Sequence, residues 1–227
     1  LGASFELTEH LTGGLDYWSY DYSDIIIQQS AEAIFANDPN DSQISYDTNT
    51  GKVTRVDVKF VNASSIKTDG VDLNLSYTLS ASHGIYFLNM QTSWIRSYDL
   101  KETIGSETID AVGNRNGLNI ARSLPAWRTN FSINWLHNRH SATLATHYVD
   151  QYQDDANNNA SIKQNITHDL QYSYELPYLG RWQTNITMGT LNILDTDPPE
   201  VASVLGYDTK IHDPRGRVFY ARMTARY

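Results

Sequence analysis

The chain has 227 residues, 40% of them hydrophobic, with 17 Lys and Arg against 26 Asp and Glu, a formal net charge of −9 and no cysteine. That length suits one all-β domain, and the acidic balance argues against a nucleic-acid partner, which calls for a basic stripe. Without cysteine there is neither a disulfide scaffold nor a thiolate metal site. No run approaches about eighteen apolar residues, so the sequence holds no transmembrane helix.

Nine strands are predicted, over about 2–7, 11–27, 66–79, 84–99, 125–137, 141–153, 164–176, 181–193 and 216–227. Leu1 opens without a charged n-region or a cleavage site, and the chain is expected to start inside something larger. Between the second and third strands, a short helix is predicted over Ser30 to Ala36, stopped before Pro39. Val53 to Phe60 reads as a hairpin arm beyond it.

From the third strand on, apolar and polar residues alternate. Val71, Leu73, Leu75, Tyr77 and Leu79 share one face, and Asp72, Asn74, Ser76 and Thr78 the other. The same holds for Tyr86 to Trp94, Trp127 to Trp135 and Ile166 to Tyr174. The last strand sets Phe219, Ala221, Met223, Ala225 and Tyr227 against Tyr220, Arg222, Thr224 and Arg226. Alternation means one dry side and one wet side, which a soluble antiparallel sheet also has.

The aromatic spacing separates the two cases. Tyr86 and Trp94, Trp127 and Trp135, and Phe219 and Tyr227 are each eight residues apart on one face. Eight residues at roughly 3.3 Å, tilted by about 40°, rise about 20 Å. That approaches the roughly 25 Å apolar band flanked by aromatic girdles in outer-membrane barrels. The girdle read from these strands comprises Tyr86, Trp94, Trp127, Trp135, Tyr172 and Trp182. A mean hydropathy of −0.47 fits a barrel, because half of each strand faces water. Connections also alternate between short turns and long loops, as periplasmic turns and extracellular loops do. The fold expected is therefore all-β: an antiparallel transmembrane β-barrel with long extracellular loops. An odd strand number leaves open edges, which lipid does not tolerate, so 1–227 is expected to be the C-terminal portion of a larger barrel.

Near the end the residues become specific. Asn192-Ile193-Leu194-Asp195-Thr196-Asp197-Pro198-Pro199 precedes Asp213-Pro214-Arg215-Gly216-Arg217-Val218-Phe219-Tyr220 and a terminal aromatic. This resembles the ending of TonB-dependent outer-membrane receptors. Thr68-Asp69-Gly70-Val71-Asp72 and Asp16-Tyr17-Trp18 resemble further strand motifs of that family. Leu194 and Tyr227 depart from its more usual aromatic and Phe. The resemblance implies a barrel of twenty-two strands around a plugged lumen, of which these are about the last nine. It implies a Gram-negative outer-membrane receptor that imports a scarce solute with energy transmitted by TonB. It also implies partners: the TonB complex through an N-terminal plug, the barrel-assembly machinery, and outer-membrane lipid with lipopolysaccharide. The ligand, whether small molecule, sugar or peptide, is left open. The last strand's Phe219, Met223, Ala225 and Tyr227 would be the assembly signal.

Physically, Pro198 and Pro199 end ladder pairing, Asp195 and Asp197 suit turn amides, and Pro214 and Gly216 steer the chain into the last strand. Arg215 and Arg217 are expected at lipopolysaccharide level. Lumen-facing Asp72, Asp169, Glu175, Arg222 and Arg226 are expected to hold the plug. Asn114, Arg115 and Asn116, in a glycine-flanked loop tip, and Asp154 and Asp155 are candidate ligand-mouth residues. Asp154, Asp155 and Asn157 to Asn159 also match an oxygen-ligand set for Ca²⁺, though a solvated loop is the simpler reading. No catalytic constellation and no cofactor site is found; His137 and His140 read as a turn. A passive porin and a soluble lectin-like β-module are the alternatives.

Overall fold

The computed structural model describes residues 1–102, 107–177 and 182–227. Its elements in chain order are β1 (Gly2–Thr8), β2 (Leu11–Gln28), α1 (Ala31–Asn37), β3 (Ile44–Tyr46), β4 (Val53–Val56), β5 (Phe60–Ala81), β6 (Gly84–Lys101), β7 (Ile109–Asp110), β8 (Trp127–His137), β9 (His140–Val149), β10 (Tyr152–Asp154), β11 (Ala160–Ile162), β12 (Asn165–Glu175), β13 (Gln183–Leu191) and β14 (Val218–Arg226). Nine strands form one antiparallel path, β1-β2-β5-β6-β8-β9-β12-β13-β14, with β7 paired to β6. Each strand follows its sequence neighbour along the path. The sheet is open: β1 and β14 do not pair with each other.

Three predicted turns are two-residue hairpins. Glu9-His10 is closed by Thr8↔Leu11, Ser82-His83 by Ala81↔Gly84, and Asn138-Arg139 by His137↔His140. Asn138 takes a positive φ of 53°, which Asn tolerates better than most residues. The fourth predicted turn, Pro177 to Gly180, and the predicted strand start at 181 lie largely outside the described residues.

Some boundaries differ from expectation. β5 begins at Phe60 because its extension pairs with Ile25–Gln28 of β2 above the girdle, where no lipid enforces alternation. Val53–Val56 turns back onto Ile44–Tyr46 rather than running to Phe60. β9 stops at Val149; Tyr152–Asp154 instead forms a separate hairpin with Ala160–Ile162.

Register places the apolar sets on one continuous face. Val71, Leu73, Leu75, Tyr77 and Leu79 of β5 stand opposite Trp94, Thr92, Met90, Leu88 and Tyr86 of β6. Those stand opposite Trp127, Thr129, Phe131, Ile133 and Trp135 of β8. The face continues through Leu144, Leu170, Met188 and Met223 to the β14 edge. Nothing covers it: Leu170, Met188 and Phe219 are exposed. A contiguous apolar face of this extent is not stable in water, and it matches a hydrocarbon band. The hydroxyls of Thr92 and Thr129, which lie on it, bond each other at 3.0 Å, as lipid-facing polar groups must.

The residues expected to form the girdle pair across strands. Trp94 and Trp127 are register partners with rings stacked 5.4 Å apart, and Tyr86 faces Trp135 at the other end. Trp135 donates to the His83 carbonyl at 2.8 Å, His140 packs against Tyr172 and Tyr174, and Trp182 meets Tyr227 edge-on at 5.2 Å. The short-turn rim thus carries a second aromatic belt.

The buried apolar clusters lie in the loops and at the loop end of β6, not along the middle of the sheet. One joins Leu100, Ala111 and Ala121; the other joins Tyr152, Ile162 and Val201. A one-layer sheet in a barrel wall has no second layer to bury against, so side-chain burial moves to where the loops fold on themselves.

Candidate functional site

The inner face is polar and laced across strands. Ser93 donates to Asp72 at 2.6 Å, Ser76 to Asn89 at 3.0 Å, and Gln183 to Glu175 at 2.9 Å. His147 joins Asn130 at 2.7 Å and Asp169 at 3.2 Å. Tyr220 lies over Gly189 and donates to Gln171 at 3.0 Å. Arg222 and Arg226 line a recess with Glu175 on this face. Near the short-turn rim the inner face also shows apolar side chains, Ile85, Phe87 and Leu136, of which Ile85 and Leu136 are register partners.

Above the upper girdle, β5 and β6 are knotted by the Thr68 to Asp72 motif. A β-bulge falls between Asp69 and Gly70. Asp69 is buried and accepts from Arg96 and Ser97. Gly70 lies under the Trp18 indole; an added Cβ would come within 2.4 Å of both that ring and the Trp94 carbonyl. Gly is the one residue that admits this approach.

The terminal motif is a latch. Asn192 donates from its amide nitrogen to Asp169 at 2.8 Å, and its side chain bonds Thr196 twice at 2.9 Å. Asp195 accepts the Arg217 backbone N–H at 2.7 Å, and Arg217 reaches the Ile193 carbonyl at 3.2 Å. Both ends of the 192–217 loop are thereby pinned together just above Leu191↔Val218, the last pair of the sheet. Asp197 contributes its carbonyl, to Asn165 at 3.3 Å. Arg215 pairs with Asp213 at 2.5 Å, which holds the Asp213 carboxyl below the usual carboxylate range, and Arg217 stands over the Phe219 ring. Pro198 lines a recess under the loop, and Gly216 (φ 62°) turns the chain into β14.

The loops over this rim interlock. Arg115 pairs with buried Asp154 at 3.0 Å, and its N–H donates to the Gln153 carbonyl at 2.7 Å. Asp155 accepts the Gly117 and Leu118 amides at 2.8 and 3.0 Å. Asn116, 1% exposed, donates to the Ala111 and Arg122 carbonyls at 2.9 and 2.8 Å. Tyr152 donates to Asp208 at 3.0 Å and meets His212 Nε2 at 3.2 Å. The Tyr152 hydroxyl has one proton, and it goes to the carboxylate; His212 therefore donates from Nε2. Burial pushes the His212 pKa down and the Tyr152 pKa up, so both stay neutral in this clamp.

Two loop readings differ from the structure: the glycine-flanked tip, and the solvated loop at 154–159, where Asp154 is buried. The 113–117 segment is not a loose tip: Asn114 bridges to Gln153, and Asn116 and Asp154 are buried. Asp154 and Asp155 point to different partners, so the oxygen-ligand set does not converge. Among the described residues no group of three or more His, Asp or Glu is placed to hold a metal.

Two cavities open inside the cap. One, of 660 Å³, is lined by Ile95, Leu124, Ile211, Arg122, Arg128 and Lys210. The second, of 640 Å³, shares Arg122 and Lys210 and adds Gln29, Phe60 and Ile120. These three cations were not singled out in the sequence. Arg128 was legible as inward, since it alternates with Trp127; Arg122 and Lys210 sit in loops whose course no periodicity reports.

A family model described as TonB dependent receptor-like, beta-barrel matches residues 1–193. Among solved structures, a point mutant of the ferric enterobactin receptor PfeA from Pseudomonas aeruginosa is 15% identical, with a TM-score of 0.60 over 99% of this chain and 30% of that one. The copper transporter OprC is 12% identical, with a TM-score of 0.60 over 98% of this chain and 29% of that one. The outer membrane transporter YddB from Escherichia coli is 14% identical, with a TM-score of 0.62 over 99% and 32%. The chain thus spans about a third of the length of these relatives. No curated protein matches it. The all-β antiparallel path, its two faces and the family match agree: the chain belongs to the TonB-dependent receptor β-barrel family.

Proposed function

We propose that this chain forms part of the wall and mouth of an outer-membrane receptor in a Gram-negative bacterium. The receptor binds a scarce extracellular solute and imports it to the periplasm with energy transmitted by TonB. The observation that carries the reading is the interlocked cap, in which the 107–126, 150–163 and 192–217 segments close over one rim above a polar inner face. A structured mouth of this kind suits selective binding of a solute. The inner apolar group at Ile85, Phe87 and Leu136, and Arg222 and Arg226, which form no ion pair among the described residues, suit a plug resting against this wall. Phe219, Met223, Ala225 and Tyr227, in a row on the β14 edge, suit strand addition by the barrel-assembly machinery. The protein reads as a transporter, not an enzyme.

The full-length receptor in planar bilayers is expected to show no steady conductance, and in detergent to bind the C-terminal domain of TonB. A steady open channel that ignores TonB would make it a passive porin.

A further inference from the structure

Two loops of the cap meet at one buried polar cluster. Tyr152 comes from the 150–163 hairpin, and Asp208 and His212 come from the 192–217 loop. The three are 2%, 4% and 9% exposed. The Tyr152 hydroxyl donates to Asp208 at 3.0 Å and accepts from His212 Nε2 at 3.2 Å, with the two rings stacked 6.2 Å apart. Among the described residues these are the side-chain hydrogen bonds that join the hairpin to the loop. The apolar cluster of Ile162, Val201 and Ile211 packs around them.

This site suits His212 as a neutral ring. The Tyr152 proton is committed to Asp208, so Nε2 carries the single imidazole proton and Nδ1 is bare. A second proton, on Nδ1, meets no acceptor among the described residues, and its charge has little water around it. Asp208 attracts that charge, but both of its oxygens are engaged, by Tyr152 and by the Lys210 backbone N–H at 3.0 Å. Arg128 of β8 repels it, and Lys210 lines the adjoining cavity with Arg128. Arg115, on the Tyr152 side, is paired with Asp154. In the recess beneath the loop, Asp169 bonds His147 and the Asn192 amide, and Asp213 is paired with Arg215. Burial outweighs the pull of Asp208 and holds the His212 pKa below its ordinary 6.5.

We propose that His212 is a pH-sensitive catch: once protonated, it releases the 192–217 loop from the 150–163 hairpin and loosens the cap. This goes beyond the receptor reading and does not depend on which solute is carried. The closed loop binds fewer protons than the open one, in which His212 regains its ordinary value. The catch therefore holds fully above 6.5 and weakens as pH falls below it, toward the lower value of the closed state. Between about pH 8 and about pH 5 the opening constant can rise at most about thirtyfold.

Thiol protection in the full-length receptor, in detergent and with any other cysteine replaced, tests this. Val201→Cys, in the buried cluster, reports opening. Val204→Cys, fully exposed in the same loop, reports the reactivity of a free thiol at each pH. The reagent is dithiodipyridine, which reacts at acid as well as neutral pH. The ratio of the first rate to the second should rise about tenfold or more from about pH 8 to about pH 5. His212→Gln, made in both cysteine backgrounds, keeps a donor toward Tyr152 but does not titrate, and its ratio should change by less than about twofold. His212→Asn serves if that variant does not fold. His147→Gln, which replaces the other histidine of the recess, should respond as wild type does. A flat ratio in wild type, or an equal rise in His212→Gln, overturns the proposal. Loss of the response in His147→Gln also overturns it, by assigning the proton to His147.

Discussion

Leu75→Arg should destabilise the full-length receptor by about 2–4 kcal/mol, and Asn74→Arg by far less. The two residues are neighbours in β5 and point to opposite faces. Leu75 sits on the apolar face between Gly13 of β2 and Met90 of β6. It lies four residues from Val71, which faces the upper-girdle Trp94, and four from Leu79, which faces the lower-girdle Tyr86. That is the middle of the band, where a guanidinium is farthest from either interface. Asn74 stands opposite Gln91 on the inner face, where water solvates a new charge. Urea titrations of folding into lipid vesicles measure both. Equal costs, or a larger cost at Asn74, would mean that the apolar face does not meet lipid.

Two glycine substitutions should differ both alone and in rescue, with the larger loss at Gly70, where a backbone carbonyl blocks the added Cβ. Gly70→Ala should cost about 1–3 kcal/mol by overpacking and Gly189→Ala less, because the Tyr220 side chain can shift. At Gly189 the near atoms all belong to the Tyr220 ring, the closest at 2.4 Å. Adding Tyr220→Ala should therefore recover most of the loss. At Gly70 the Trp18 ring and the Trp94 carbonyl are both at 2.4 Å. Trp18→Ala clears the ring but not the carbonyl, so the loss should remain. Double-mutant cycles in the same titrations give the two coupling energies. Equal rescue at both sites would show that the β5–β6 bulge yields easily and that Gly70 is there for the indole alone.

The wall was legible in the sequence because lipid on one side and water on the other impose a period of two. Trp94 and Trp127, each read as the end of an eight-residue span on its own strand, turn out to be stacked register partners. One girdle therefore fixes both strands. Above the girdle that constraint ends, and legibility ends with it. Phe60 to Ser65 is β-strand by pairing to β2, yet its sequence shows no clean alternation. The 113–117 segment reads as a loose tip from its Gly and Asn content. Asn116 instead uses its amide to bind the carbonyls of Ala111 and Arg122, and a positive φ of 57° that Asn tolerates. Such a bond depends on where a distant carbonyl lies, which composition does not encode. Asp154 and Asp155 show the same limit. Adjacent in sequence, they serve Arg115 and the Gly117 amide separately, so the Ca²⁺-like pattern dissolves in three dimensions. In the terminal motif Asn192, Asp195 and Gly216 act within one loop closure, whereas Asp197, read as a partner for turn amides, contributes its carbonyl.

On the proposed reading this sheet spans a membrane, with its long loops outside and its short turns inside. Cysteine labelling tests it directly, since the chain brings no cysteine of its own. Val204, at the tip of the 192–217 loop, is fully exposed, and Ser82 is one of the two residues of a short turn. On intact cells making the full-length receptor, Val204→Cys should react with a membrane-impermeant maleimide. Ser82→Cys should react only after the outer membrane is permeabilised. Buried Asn116→Cys should stay unreactive on intact cells despite lying on the outer side. Labelling of Ser82→Cys but not Val204→Cys on intact cells would invert the topology, and equal labelling of both would contradict a membrane-spanning wall.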